Sequence, residues 1–440
     1  LRNSHLKPVR IALLGCGTVG EGVVRLLRSN AAMFERKLGA PLELAGVADR
    51  SLKPIPSLGL DAKLITRDSA ELIARDDVDI VAELFGGYEP ARSLILKALS
   101  AGKDVVTANK ALLAEHGEEI FRAAGKAGLA VGFEASVGGG VPIMRTLREA
   151  LAGDRQRAVY GIVNGTCNSI LSMMTERGSE FRDALAEAQR EGLAEADPTL
   201  DIDGHDAAHK LCLLVTLAFG VLLKPAQVYT EGISRVTPAD ITYARELGYT
   251  IKLLAIAKDD DGAIEARVHP TMIPAKHLLA SVSGAFNAIY IHGEALGSSM
   301  YFGRGAGQMP TATAVMADVL EIARQRMAGA RGGAHALGYP VTWIKRARVK
   351  PMDDVVCEYY LRFMAQDKPG VLGGIASVLG RNGISIASVI QQGRGVETTV
   401  PVIMRTHEAR ERNLKRALKS IAKLHMVDGA PAFIRIEERL

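Results

Sequence analysis

The sequence predicts an α/β fold: a mostly parallel sheet first, then an inserted α+β region, then a small ferredoxin-like module. Three observations carry this. Short apolar runs of strand type alternate with helical patterning through residues 9–133. A glycine-rich turn follows the first run directly. From residue 358 the order reads β-α-β-β-α-β. A length of 440 residues argues for two or three domains.

Composition narrows the class. Hydrophobic residues make up 48% and charged residues 23%, the balance of a soluble globular chain. A net charge of +5 suits anionic small ligands and is too weak to argue for nucleic acid. No apolar run has the length of a membrane span, and residues 1–10 lack a signal-type core. Leu1 stands where an initiator Met is expected, so these first residues are left out of the fold reading. Cys16, Cys167, Cys212 and Cys357 have no metal or redox spacing, which suggests reduced thiols in a cytoplasm.

The first element is the apolar run from Val9 to Leu14. Gly15-Cys16-Gly17-Thr18-Val19-Gly20 follows, then helical patterning over residues 21–38. Strand, glycine turn and helix together form the context of a dinucleotide-binding, Rossmann-type domain. Gly15 permits the tight turn, Gly17 admits a pyrophosphate and Gly20 lets helix and strand pack closely. The helix start offers free N–H groups to the phosphates. A plain glycine turn is the alternative.

Residues 42–50 read as the second strand, with Asp49 placed for a ribose hydroxyl. Arg50 beside it suits a 2′-phosphate or is simply a surface charge, which leaves NAD and NADP open. Strands at 80–84 and 104–107 end at Gly86-Gly87 and at Ala108-Asn109-Lys110. Ligands bind at the carboxyl ends of such strands, so Lys110 is expected where cofactor and substrate meet, a surface lysine being the alternative.

After a strand at 129–133 comes an irregular loop, 134–142, with three glycines and a proline. Its carbonyls and Glu134 suit a hard monovalent cation. On the residues alone a hinge is preferred. An apolar strand ending in a polar turn over 161–168, and helical patterning over 170–191, lead to the richest segment, 193–211. There Glu195, Asp197, Asp201 and Asp203 precede a helix starting near Gly204, and Asp206 and Lys210 share one helix face. Three readings compete. A metal site is disfavoured: the calcium-like acids lack a later bidentate Glu, and Asp206 follows His205 where a zinc protease has Glu. The second is structural, with acids capping the helix and a surface ion pair. The third is a substrate site, with carboxylates holding an ammonium and a lysine donating a proton. A further glycine loop, 303–310, opens a helix near Thr311 with Ala314, Val315 and Val319 on its inner side. That suggests a return to the cofactor domain.

The runs GCGTVG at 15–20, TANK at 107–110, EASVGGGVP at 134–142, NGTCN at 164–168, AEADPTLDIDGHDAAHK at 194–210 and GRGAGQMPTATAV at 303–315 resemble homoserine dehydrogenases of the bacterial form with a C-terminal regulatory domain. The resemblance covers nearly the whole chain. It implies reversible NAD(P)-dependent reduction of L-aspartate 4-semialdehyde to L-homoserine, within threonine, methionine and isoleucine biosynthesis. It makes Lys210 the proton donor, assigns Glu195 and Asp206 to the substrate, and gives Lys110 contact with both cofactor and substrate. Gly15, Gly17, Thr18, Val19, Gly20, Asp49, Arg50, Gly86, Gly305 and Gly307 are the cofactor-binding residues this reading gathers. The resemblance also implies a sodium ion held by Glu134 and the backbone oxygens of Val137, Gly139 and Val141, which displaces the hinge reading. The physics agrees: hydride delivery leaves charge on the carbonyl oxygen, which an ammonium neutralises, and a lysine is ordinarily protonated at neutral pH.

Lys345, Arg346, Arg348 and Lys350 form a basic stretch without interleaved aromatics, read as a solvated linker rather than a nucleic-acid patch. Beyond it, DKPGVL at 367–372 and NGIS at 382–385 resemble an ACT domain, an amino-acid-binding module. In this family the implied effector is L-threonine; a module that only promotes oligomerisation is the alternative. The expected boundaries are 1–142 (completed by 303–328) for the cofactor domain and 143–302 for substrate binding and dimerisation. A linker at 329–356 and the ACT domain at 357–440 complete the chain. A cytoplasmic homo-oligomer, dimer or tetramer, is expected, with neither nucleic acid nor membrane as partner. A different amino-acid-pathway NAD(P) oxidoreductase is the nearest alternative. A catalytically silent sensor is disfavoured because Lys110, Glu195, Asp206 and Lys210 are all present.

Overall fold

A computed structural model describes residues 7–51, 58–330, 336–391 and 399–440. Residues 1–6, residues 331–335 of the expected linker, and residues 392–398 of the expected C-terminal module lie outside them. The chain groups into two compact units. The first comprises Leu1–Val163, Asp206–Val228 and Ala285–Ala347; the second comprises Asn164–His205, Tyr229–Gly284 and Arg348–Leu440.

The first unit begins with β1 (Val9–Leu14), α1 (Thr18–Ser29), α2 (Ala31–Leu38), β2 (Leu42–Ala48), β3 (Ile65–Thr66) and α3 (Ser69–Ala74). It continues with β4 (Ile80–Glu83), α4 (Ala91–Ser100), β5 (Asp104–Thr107), α5 (Lys110–Ala127) and β6 (Val131–Gly132). The single helix expected over 21–38 is two, because Asn30 leaves helical geometry between them. The strands form one parallel sheet in the order β3-β2-β1-β4-β5-β6. This is the doubly wound arrangement, and its order reverses between β1 and β4. β1 and β4 are almost wholly buried, as expected of strands covered on both faces.

The long helix Gln308–Met327 packs on α1 in this unit, and Ala312, Val315 and Val319 join the core beneath β1. It starts three residues earlier than the sequence suggested, capped by Gly307 at φ +124°. Contact is close enough that a Cβ on Gly22 would stand 2.8 Å from the Ala312 Cβ. Strands Gln156–Ile162, Phe286–Gly293 and Gly297–Arg304 form an antiparallel set in the same unit.

In the second unit, Tyr249–Asp260 and Ala263–Pro274 form a twelve-residue hairpin. Its two-residue turn, Asp261-Gly262, has both residues at positive φ, the backbone that suits the twist of paired strands. The helical patterning at 170–191 resolves into Gly165–Arg177 and Phe181–Arg190, separated by Gly178 in the left-handed region. The C-terminal module has strand Val356–Gln366, helix Val371–Arg381, strands Ile386–Gln391 and Thr399–Thr406, helix Glu411–Ile421 and strand Val427–Ile436. Both helices cover one sheet face over Ile375, Leu379, Leu414 and Ile421.

The module is not a separate sheet. Its last strand pairs in parallel with the hairpin strand, Thr271 with Arg435 and Met272 with Ile436. Charged side chains seal this seam. Arg267 pairs with Glu265 and Glu437, and Arg435 pairs with Glu411 at 2.6 Å and Glu231 at 2.9 Å. Burial works against the Glu437 carboxylate, but the Arg267 and Lys258 charges outweigh it and hold its pKa below the usual range.

Candidate active site

The glycine loop lies between β1 and α1. Gly15 adopts φ +95°, a conformation that favours glycine, and a Cβ on Gly20 would meet the Gly15 carbonyl oxygen at 2.3 Å. Nothing stands within 4 Å of where a Gly17 Cβ would be, so the loop is open on that side. Thr18 is exposed and Val19 half-buried at the start of a twelve-residue helix, whose first N–H groups are unsatisfied by the helix itself. Close packing behind and open space in front make a cradle that fits a pyrophosphate.

Asp49 ends up tied to this loop. Its carboxylate accepts the backbone N–H of Cys16 at 2.6 Å and of Ser51 at 2.7 Å. Arg50 beside it is exposed. The loop strand ends are also tied together at β4 and β5. The Thr107 hydroxyl donates to Glu83 at 2.6 Å, and Asn109 donates to the Gly87 carbonyl at 2.7 Å, next to exposed Gly86. Glu83 is fully buried, and burial pushes its pKa up to about 7. Sequence reading passed over Glu83; the signal was a lone acid closing the apolar run Ile80-Val81-Ala82.

Lys110 opens α5, and its Nζ stands 3.2 Å from Asp206 Oδ1. Asp206 lies in the first turn of helix His205–Phe219, where the helix dipole favours a carboxylate. Its other oxygen, Oδ2, is 2.5 Å from Lys210 Nζ, which also donates to the Val163 carbonyl at 2.7 Å. The side chains of Lys210 and Asp206 are only 12% and 10% exposed, so the surface-pair reading of this motif does not hold. The structure therefore brings together three of the four residues singled out for chemistry, with two lysines around the Asp206 carboxylate. Glu195 belongs to the second unit, exposed in the turn after helix Phe181–Arg190.

In that unit NGTCN performs a local task. The Asn164 side chain caps helix Gly165–Arg177 through the Cys167 N–H and donates to Asp201 at 2.6 Å. Thr166 donates to the Leu193 carbonyl. The motif thereby fixes both ends of the acidic segment.

The loop expected to hold a cation lies in the first unit. Gly138 and Gly139 have positive φ, and the Gly139 backbone approaches Gly305 so closely that a Cβ there would stand 2.4 Å from the Gly305 oxygen. Glu134 is buried and accepts the N–H groups of Met144 and Arg145; burial raises its pKa. Among the described residues no ion pair reaches it. Glu134, Gly139 and Val141 face one cavity of about 430 Å³, while Val137 does not line it and the Val141 oxygen already accepts from Ile143. A second acid, unnoticed in the sequence, lies behind: Asp318, fully buried, accepts the Glu134 N–H at 2.8 Å. Among the described residues no group of three or more His, Cys, Asp or Glu side chains has metal-binding geometry. No helix of the described residues is long and apolar enough to cross a membrane.

Comparison with known proteins points to one family. Residues 15–134 match the NAD-binding domain of homoserine dehydrogenase, 142–320 match the homoserine dehydrogenase family proper, and 359–425 match the ACT domain. The homoserine dehydrogenase of Neisseria gonorrhoeae is 45% identical over 432 residues, 98% of this chain and 99% of its own length. That of Pseudomonas aeruginosa is 43% identical over 434 residues, 98% of this chain and all of its own. A crystal structure of a homoserine dehydrogenase from Thiobacillus denitrificans superposes with a TM-score of 0.93 at 44% identity, covering 99% of each chain. A hyperthermophilic archaeal homoserine dehydrogenase solved with NADPH covers 72% of this chain and 98% of its own, at 27% identity and a TM-score of 0.62.

Proposed function

The chain belongs to the homoserine dehydrogenase family, and from that premise we propose that it interconverts L-aspartate 4-semialdehyde and L-homoserine with Lys210 as proton donor. The observation that carries the assignment is the nearly buried carboxylate of Asp206 shared by Lys110 and Lys210.

NAD(P)H, when bound at the Gly15–Gly20 cradle, supplies the hydride. Everything else is work for this chain. An ammonium has three N–H donors. Two of those on Lys210 go to Asp206 and Val163, which aims the third at a substrate oxygen. As the carbonyl carbon is reduced, the oxygen gains charge, and Lys210 gives it the proton that completes the alcohol. Lys110 adds a second positive charge against the same carboxylate and helps place the substrate. Asp206 holds the substrate ammonium, and Glu195 is assigned to the substrate on its motif alone. Oxidation of the alcohol runs these steps backwards and releases a proton, so that direction is favoured by alkaline pH.

Arg50, exposed beside the tied-down Asp49, is the residue we assign to a 2′-phosphate, so that both NADPH and NADH serve. Gly305 and Gly307 present the start of helix Gln308–Met327 to the cofactor side. Of the expected sodium set, Glu134 and Gly139 face one cavity and would hold a sodium ion there, whose charge would offset the buried carboxylate. Thermal stability rising with sodium chloride but not choline chloride tests that placement. L-Threonine binds the C-terminal module near 367–372 and 382–383 and inhibits. A homo-oligomer is proposed from the exposed edge strand Gly297–Arg304, where Phe302 stacks on Phe286 in the open.

Consumption of NADPH with L-aspartate 4-semialdehyde tests the reading, repeated with NADH and with L-threonine. No consumption with either coenzyme, from protein that binds NADPH, would overturn it.

A further inference from the structure

Two helices of the first unit, α5 and His205–Phe219, meet at their N-terminal ends through Lys110 and Asp206. Further along they stand apart. Between them lies a cavity of about 250 Å³. Its α5 wall comprises Leu113, Ala114, Gly117 and Phe121, spaced three, four, seven and eleven residues from Lys110. That spacing puts them on the helix face that carries Lys110. Cys212, Leu213 and Thr216 line the opposite wall. Gly117 lines the cavity without a side chain, and a Cβ there would already stand 3.2 Å from the Phe121 ring; the ring pair Phe121–Phe133, centroids 5.2 Å apart, forms the floor.

The mouth differs from the floor. Glu115, Glu118, Lys224 and Arg346 surround it, with long pairs Lys224–Glu115 at 4.0 Å and Arg346–Glu118 at 3.9 Å. Such exposed, long pairs contribute little and are easily exchanged for other partners. The size is informative too. An apolar cavity of about 150 Å³ takes a benzene ring, whereas drug-sized ligands need roughly 300–1,000 Å³.

We propose that this cavity is a binding site for a free amino acid with an aromatic or branched aliphatic side chain. The side chain fills the Phe121–Phe133 floor. The ammonium meets Glu115 and Glu118, and the carboxylate meets Lys224 and Arg346. The site is distinct from the cofactor loop, from the Lys210 cluster and from the C-terminal module. Binding does not depend on the function proposed above. An effect on turnover does, because an occupant wedged between the two helices changes how Lys110 and Asp206 meet.

Isothermal titration of the full-length protein with L-phenylalanine and L-leucine, without substrate, tests the site. Both should bind, L-serine should not, and phenethylamine and isovalerate, each with one charge, should bind more weakly. Gly117→Leu fills the cavity and should abolish binding. Ala226→Trp, at the exposed mouth, should do the same without touching the core. Lys224→Ala with Arg346→Ala should weaken binding about fivefold. No heat from either amino acid at ten millimolar scale overturns the proposal. So does binding that survives both Gly117→Leu and Ala226→Trp, which would place the amino acid elsewhere, the C-terminal module included.

Discussion

Lys210 Nζ lies 2.5 Å from Asp206 Oδ2, one helical turn away, in a site that water barely reaches. A pair so placed holds the ammonium in a fixed direction. Lys210→Ala is expected to lower kcat by about 10²–10⁴. NADPH affinity, followed by fluorescence titration, should barely change. Wild-type turnover in this variant would sink the proton-donor assignment.

Asp206 serves two lysines, so their roles should be coupled. Asp206→Asn keeps the shape and removes the charge. It should raise KM for the semialdehyde and lower kcat at least about tenfold. Lys110→Ala should then cost much less in the Asp206→Asn background than alone, since contacting residues are non-additive. Steady-state kinetics of the four proteins measures this, and full additivity would show that the 3.2 Å contact has no catalytic weight.

On the proposed reading, coenzyme choice rests on Arg50. Asp49 is held in place by the Cys16 and Ser51 N–H groups, and the exposed guanidinium beside it is the cation that could pair with a 2′-phosphate. Arg50→Ala should cut the ratio of kcat/KM for NADPH over NADH by about tenfold, the scale of one charge-assisted contact. An unchanged ratio excludes contact between Arg50 and the phosphate.

Asp318 predicts a pH dependence of stability. Burial raises its pKa to about 7 in the folded protein. Above its unfolded value the folded state holds the proton more tightly, so this contribution falls as pH rises and is lost once pH passes about 7. Asp318→Asn still accepts the Glu134 N–H and does not titrate. Urea unfolding between pH 5 and 8 should show a flatter profile for the variant; equal slopes would mean that Asp318 is ionised throughout.

Threonine inhibition must be tested in the whole chain. A chain ending near Lys350 loses the strand Val427–Ile436 from beside Ala263–Pro274 and leaves Arg267 without Glu437. Removing one partner of a buried pair costs roughly 3–5 kcal/mol, so such a truncation confounds regulation with unfolding. Asp367→Ala, at an exposed position before helix Val371–Arg381, is expected to raise the threonine concentration for half-inhibition about tenfold with basal kcat unchanged. Undiminished inhibition would move the effector site away from this loop.

Much of this was legible in the chain itself. Strand, glycine turn and helix around Gly15–Gly20 follow local rules, and the structure reproduces them with Gly15 at positive φ. The i,i+4 spacing of Asp206 and Lys210 was also local, and their contact follows from it. Lys110 is different. Its meeting with Asp206 joins residues nearly a hundred positions apart, so periodicity gave no sign of it. Glu83 and Asp318 went unread for the same reason: each is an ordinary acid until tertiary packing buries it. Helix breaks at Asn30 and Gly178 were hidden because apolar spacing continues across them.

The seam between Thr271 and Arg435 has a consequence for how the chain is made. Its two strands leave the ribosome roughly 160 residues apart, about 8–30 s at ordinary elongation rates. Through that interval the hairpin strand has an unpaired edge, and Arg267 has no Glu437. The edge of the hairpin strand is therefore closed only once the strand Val427–Ile436 has been made and has paired beside it.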